Sequence, residues 1–285
     1  MKNRKPAQAI RNFILLALVL FFIYAPIAWL VLSSISTRSE LLSVPPSFIP
    51  KEPTLKNYMD ILLPGRAASE VATTFKITLG NSLLVATATT LICLFVGVLA
   101  AYALGRLRLP FKNKLLMSIL SVRMIPEISL VIPLYIVAAK LTLLNKPVVL
   151  IITYLSFALP FAIWMITTFF ESVPMELEDA ARIDGCSRLR TLFNVILPVA
   201  TPGLVSTGLF IFLLAWDEFF FALIFTSTTA AKTAPVAIAE FTGRYAVDIT
   251  AMMAAGVLAA LPPVLMALIF QRYIVSGLSA GAVKG

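Results

Sequence analysis

Six stretches of this chain are long enough and apolar enough to cross the hydrocarbon core of a bilayer as helices. That property decides most of what the chain can fold into. They fall at residues 13–32, 79–104, 115–139, 148–170, 203–225 and 252–273. A helix rises about 1.5 Å per residue, so roughly 20 apolar residues span a core ~30 Å thick. In lipid every backbone N–H and C=O must be satisfied within the protein, which favours helices for runs of this length. Composition agrees: 60% of the 285 residues are hydrophobic and only 13% are charged, where a soluble domain carries about 25% charge. The sequence therefore predicts an all-α membrane protein with six transmembrane helices.

Charge placement gives the orientation. The first run follows Lys2, Arg4, Lys5 and Arg11, as a signal peptide would. It is longer than the apolar core of such a peptide and no small-residue cleavage site follows it cleanly, so it is read as a retained helix. Segment 105–114 carries Arg106, Arg108, Lys112 and Lys114 with no acid, whereas segment 33–78 mixes both signs and is rich in proline. Lys and Arg collect in cytoplasmic loops, so both termini and the polar stretch near residue 180 are expected in the cytoplasm of a prokaryotic cell. The expected organisation is a cytoplasmic start (1–12), a first helix (13–32), an extracytoplasmic segment (33–78), a five-helix transmembrane domain (79–273) containing a polar loop (174–198), and a cytoplasmic tail (274–285).

Several classes of chemistry are disfavoured. The chain has no histidine, and its two cysteines, Cys93 and Cys186, lie far apart in sequence. Histidine-assisted nucleophiles, histidine zinc sites and a disulfide framework therefore find no support. No GxxxxGK[ST] phosphate loop occurs, so the chain is not expected to hydrolyse ATP itself, and no catalytic, metal or cofactor site is assigned. The net charge of +9 would suggest nucleic acid in a soluble protein. Here it is assigned to membrane orientation, with no nucleic-acid partner. Gly97, Ala101 and Gly105 form a small-residue row that admits a close helix neighbour. Pro126, Pro133, Pro160, Pro262 and Pro263 lie inside the apolar runs, where they free carbonyls and bend helices.

The polar stretch has its own pattern. Pro174 followed by Glu176, Glu178 and Asp179 is a helix start, with acids at the positive end of the dipole. Ala180 and Ala181 favour the helix, and Asp184-Gly185 ends it. Leu189, Leu192, Phe193 and Ile196 then fall at i, i+3, i+4 and i+7, one apolar face of a second short helix, which Pro198 and Pro202 discourage from continuing. Two readings follow from the residues alone: an elbow that a cytosolic partner grips, or an amphipathic connector lying on the membrane surface.

Four charged residues lie in or near the runs: Arg123, Glu127, Asp217 and Glu218. Charge in a bilayer costs on the order of 2.5–3.5 kcal/mol at mid-helix, so these side chains should face the bundle interior or water. Arg123 and Glu127 are spaced i, i+4 and would meet on one helical face. The set is either a polar lining of a pathway or an ion pair that keeps two helices in register. Trp216, Trp164 and Tyr154 either stack on the ring of a solute or serve as packing and interface residues.

Residues Asp179, Ala180, Ala181, Arg182, Ile183, Asp184 and Gly185, with Ile196, Leu197 and Pro198 after them, resemble the signature loop of permease subunits of ABC importers. That loop reads Glu-Ala-Ala-x-x-Asp-Gly, then an apolar-x-x-Pro ending. Asp179 stands where the family has Glu, and Glu178 beside it is the other candidate for the acidic contact. The segments RMIPEISLVIPLY (123–135), LPFAIWMITTFFESVPMELEDAARIDG (159–185), WDEFFFALIFT (216–226) and LPPVLMALIFQRYIVSGLSAGAVKG (261–285) are similar to the maltose-type carbohydrate branch. That branch has Asn where this chain has Asp217.

The resemblance implies a type I ABC importer permease fold with a cytoplasmic coupling helix between the fourth and fifth spans. It implies a loop (Glu178, Asp179, Ala180, Ala181, Asp184, Gly185, Pro198) on which two ATPase subunits dock and consume ATP. It also implies a second, unlike permease subunit, an extracytoplasmic binding protein and a sugar as solute. A polyol or a glycerol-phosphate-like solute is the alternative within the class, and a stand-alone secondary transporter the alternative outside it.

Overall fold

The computed structural model describes residues 6–45, 47–63, 70–242 and 248–282. Lys2, Arg4, Lys5 and residues 283–285 of the expected tail lie outside the described residues, as do the side chains of 274–282. Helices dominate: α1 (Pro6–Ser34), α2 (Arg38–Leu41), α3 (Lys56–Leu62), α4 (Glu70–Arg106), α5 (Lys112–Ser121), α6 (Glu127–Lys140), α7 (Pro147–Ser172), α8 (Met175–Ile183), α9 (Arg188–Thr191), α10 (Leu197–Trp216), α11 (Phe220–Phe225), α12 (Ala234–Glu240) and α13 (Ile249–Ala282). Among the described residues five helices are long and apolar enough to cross a membrane, or six if a bent pair counts as one span. The expected runs at 13–32, 79–104, 148–170 and 252–273 sit inside α1, α4, α7 and α13.

The chain packs as two units: Met1–Lys76 with Ala237–Ala260, and Ile77–Val236 with Leu261–Gly285. In the first, the apolar window of α1 is exposed on every side within this chain, as a helix surrounded by lipid or by another subunit would be. Its last turn is tied down by polar contacts. The Asn57 side-chain amide donates to the Ser34 and Ser36 carbonyls at 2.8 and 3.1 Å, and Ser34 Oγ meets the Tyr58 hydroxyl at 2.6 Å. The Glu40 carboxylate accepts the backbone N–H groups of Thr37, Lys51 and Glu52 at 3.1, 2.8 and 3.0 Å. Those backbone donors, Thr37 foremost, hold the Glu40 carboxyl below its ordinary value of 4.5. At the start of α13, Asp248 accepts the Ala251 N–H at 3.2 Å, an N-terminal cap.

In the second unit α7 is the central packing element. Leu150, Tyr154 and Ala158 are fully buried, and Phe221, Phe225 and Trp216 pack in the same cluster as Leu150 and Tyr154. Further along, Ile166 and Phe170 pack with Ala101, Leu192 and Ile196. The small-residue row of α4 faces α7: a Cβ added at Gly97 would lie 3.1 Å from Ile166 Cδ1, and one at Gly105 would lie 3.5 Å from the Thr167 carbonyl oxygen. These glycines let two helix backbones approach closely.

Two expected spans differ from the continuous helices that their sequence suggests. The run at 115–139 is a bent pair, α5 with its 3₁₀ turn Val122–Met124 and then α6, with axes 87° apart. Pro126 stands at the break, as the residue that caps α6. It has no N–H to donate, and it restricts the residue before it; Ile125 is extended, with φ −75° and ψ 123°. Pro133, Pro160, Pro262 and Pro263 are instead carried inside α6, α7 and α13. The run at 203–225 begins earlier, at Arg188, and its helix ends at Trp216. Pro198 does not stop it, because residues Leu192–Ile196 form a π turn in which Leu197 N–H reaches the Leu192 carbonyl. The wider turn relieves the clash that a proline makes with the carbonyl four residues back.

Candidate functional site

The polar stretch folds as the elbow its residues suggest. α8 starts after Pro174, whose φ of −55° suits a helix entry, and carries Glu176 and Glu178 in its first turn. It ends at Gly185, which takes φ +80°. The Gly185 N–H donates to the Arg182 carbonyl (3.1 Å) and the Cys186 N–H to the Ala181 carbonyl (3.0 Å). These two bonds make a Schellman ending, which needs a residue comfortable at positive φ. Ser187 then caps α9, accepting the Arg190 N–H on its Oγ at 3.4 Å.

The faces of α8 are unequal. Glu178 and Ala181 are buried, while Asp179, Ala180, Asp184 and Gly185 are exposed, as is Ile183 at 87%. Met175 and Leu177 are also exposed. Ile183, Met175 and Leu177 thus leave apolar surface exposed on a charged helix. The two neighbouring acids therefore have different fates. Asp179 points out, and Glu178 points in, accepting a hydrogen bond on Oε1 from the Tyr102 hydroxyl of α4 at 3.1 Å. Glu178 is thus not an interchangeable substitute for Asp179 on the exposed face.

Arg106, in the last turn of α4, completes the joint. It is 8% exposed. Its Nη2 donates to the Val173 carbonyl at 2.6 Å, where the chain turns from α7 into α8, and its Nη1 meets Met175 Sδ at 2.7 Å. A basic residue at a helix C-terminus can interact with its own terminal carbonyls; Arg106 serves another segment's instead. Reading Arg106 only as a loop charge missed this role, and Tyr102 was missed altogether. The available signal was their i, i+4 spacing at the end of a span.

The second half of the elbow differs from the face expected of it. Thr191, Leu192 and Ile196 are buried, whereas Leu189 and Phe193 are 60% and 51% exposed. The π turn rotates the buried stripe relative to a regular helix, so the i, i+3, i+4, i+7 series does not stay on one side. Pro198 is exposed in the first turn of α10.

Arg123 and Glu127 do not meet as their spacing suggests. Arg123 is in the 3₁₀ turn and Glu127 begins α6, so the break at Pro126 takes them off a common helical face. Among the described residues they make no ion pair. The Arg123 guanidinium instead lies 5.4 Å from the centre of the Phe161 ring. Glu218 caps α11, accepting the N–H groups of Phe221 and Ala222 at 2.7 and 3.2 Å. Asp217 is exposed. Trp216 is buried and stacks on Phe212 with ring centres 5.6 Å apart, and Tyr154 is fully buried beside Glu218. Trp164 is 40% exposed beside Phe161.

Five or six candidate spans, with a short amphipathic helix hung between two of them, describe a helical membrane protein. Residues 93–280 match the family described as binding-protein-dependent transport system inner membrane component, and the chain belongs to that family. It is 39% identical over 281 residues to the sulfoquinovosyl glycerol transport system permease protein of Agrobacterium fabrum, covering 99% of this chain and 94% of that protein. It is 39% identical over 275 residues to the trehalose/maltose transport system permease protein of Thermococcus litoralis, covering 95% and 94%. The maltose-type resemblance seen in the sequence therefore holds. The fold matches a chain of a bacterial ABC transporter involved in the import of the acidic polysaccharide alginate, with a TM-score of 0.79 at 20% identity over 96% of this chain and 99% of that one. The protein is a multi-pass inner-membrane permease subunit of an ABC importer that works with a binding protein, and it is not itself catalytic.

Proposed function

We propose that this subunit forms half of the translocation path for a sugar or oligosaccharide and receives the work of ATP hydrolysis through α8. The exposed face of α8, with Asp179, Ala180 and Ile183 outward and Gly185 closing the helix, carries this reading. A short helix with an apolar knob flanked by charge suits insertion into a cleft of a soluble partner. Two ATPase subunits dock there and on its counterpart in a second, unlike permease. Glu178 and Ala181 seat the helix, and Asp184, Gly185 and Pro198 shape the loop. Arg123, Glu127 and Asp217, exposed within this chain, are the candidate pathway side chains, while Glu218 and Trp216 act through capping and packing. Both termini lie in the cytoplasm, and a soluble binding protein delivers the solute on the other side. The relatives that transport trehalose, maltose and sulfoquinovosyl glycerol support a carbohydrate solute.

Two experiments test this. Gly185→Trp places a side chain where nothing lies within 4 Å, so it leaves the bundle unhindered. It forces a bulky residue into the left-handed region, at a cost of about 1–2 kcal/mol, and obstructs the α8 surface. The ATPases should then fail to copurify with the permease pair; intact docking and uptake would refute the docking site. A thermal-shift screen of the cognate binding protein against trehalose, maltose, sulfoquinovosyl glycerol and a panel of polyols identifies the solute. Stabilisation by polyols alone would replace the carbohydrate reading.

A further inference from the structure

The joint between α4 and α8 holds two polar groups that its hydrogen bonds leave unused. Arg106 Nε and Glu178 Oε2 are both buried, and neither has a hydrogen-bond partner. They belong to one array. Tyr102 and Arg106 are i and i+4 on α4, and Met175 and Glu178 are i and i+3 on α8, so each pair lines one face of its helix. Tyr102 to Glu178 and Arg106 to Met175 pin the two faces together. Arg106 to the Val173 carbonyl catches the chain where it leaves α7.

A buried network that is only partly satisfied is a costly way to join two helices. An apolar contact of equal size would hold them with a smaller desolvation penalty. An apolar contact is also tolerant of sliding, since dispersion and burial have no preferred direction. A guanidinium on a carbonyl and a phenol on a carboxylate fix both distance and angle. The joint is therefore built to resist sliding. Neither residue faces the exposed side of α8, so neither contributes to a surface that a partner would touch.

We propose that Tyr102 and Arg106 are positioning residues that lock the start of α8 to the end of α4, so that a displacement imposed on α8 is carried into the transmembrane helix. The proposal rests on ATPase docking at α8 as described above. It adds a route by which that docking reaches the bundle besides the chain connections through α7 and α9.

Hydrogen–deuterium exchange of the complete permease–ATPase complex in lipid nanodiscs tests it, with and without magnesium and a non-hydrolysable ATP analogue. In the wild type, nucleotide should change exchange at 176–185 and at 102–107 together. In Tyr102→Phe and Arg106→Gln the response at 176–185 should persist, while that at 102–107 falls about tenfold. Arg106→Lys, which keeps a charge and a donor for the Val173 carbonyl, should recover part of it. A wild-type response confined to 176–185, or variants that respond at 102–107 like the wild type, would overturn the lock and leave the docking site standing. No wild-type response at 176–185 with ATPases bound would sink the docking site and the lock with it. If Arg106→Gln does not assemble, Tyr102→Phe decides alone, because it removes one hydroxyl and keeps the ring.

Discussion

Three places in the second unit set charge among apolar helices, the α4–α8 joint and two helix breaks, and they use it in two ways. At the α4–α8 joint, Tyr102, Arg106 and Glu178 reach across to residues about 70 positions away and are buried as they do so. At the two helix breaks, Glu218 spends its carboxylate on the backbone three and four residues ahead, and Arg123 rests on an aromatic face. One set of charges cross-links distant segments, and the other first finishes the ends of broken helices, with Glu218 also lying beside Tyr154 of α7. Charge in a span is therefore no single signal. Its meaning depends on whether the helix around it is continuous.

Substitutions can break or sharpen this contrast. The largest effect is expected from Arg106→Ala, which removes a buried charged hydrogen bond and strands the Val173 carbonyl. The loss is about 2–3 kcal/mol, read as a lower unfolding midpoint of the detergent-purified protein. Glu218→Ala should cost about 1–2 kcal/mol, the value of a lost helix cap. Glu218→Gln, which keeps one acceptor oxygen, should cost less in the same assay, and equal losses would mean that the carboxylate pairs elsewhere. Arg123→Ala should cost only about 0.5–1 kcal/mol, for its contact with Phe161. A double-mutant cycle with Glu127→Ala should show coupling within about 0.5 kcal/mol of zero. A larger coupling would restore the ion pair that their spacing suggests.

The smallest effect should come from Glu40, in the first unit, which resembles Glu218 in serving local backbone. Its carboxyl is held below 4.5 by the N–H groups it accepts. The stability it contributes is present above that value and is lost as pH falls through the depressed folded-state value. Acid unfolding of Glu40→Gln should accordingly show a shallower dependence on pH below 4.5 than the wild type, and an unchanged slope would remove Glu40 from the account.

Much of the fold was legible because lipid imposes one rule on every span. The runs that became α1, α4, α7 and α13 needed only length and hydropathy, and Gly185 needed only its place after Asp184. The rest turned on interactions outside the local pattern. Pro126 and Pro160 are both prolines inside apolar runs, yet one breaks a helix and the other does not, because neighbouring structure decides what becomes of the freed carbonyl. Glu178 and Asp179 are adjacent acids whose directions differ by about a quarter turn of helix, and only the hydroxyl of Tyr102 says which faces inward. Leu189 and Phe193 were assigned to the buried face by a regular period that the π turn does not keep.

That π turn has a consequence for the path of the chain. Because Leu192–Ile196 widens instead of breaking, helical backbone continues from Arg188 to Trp216 through both Pro198 and Pro202. Such a path is on the order of 40 Å long. One helix therefore carries the chain from the polar loop at Ser187 all the way to the break at Asp217, with no loop between them.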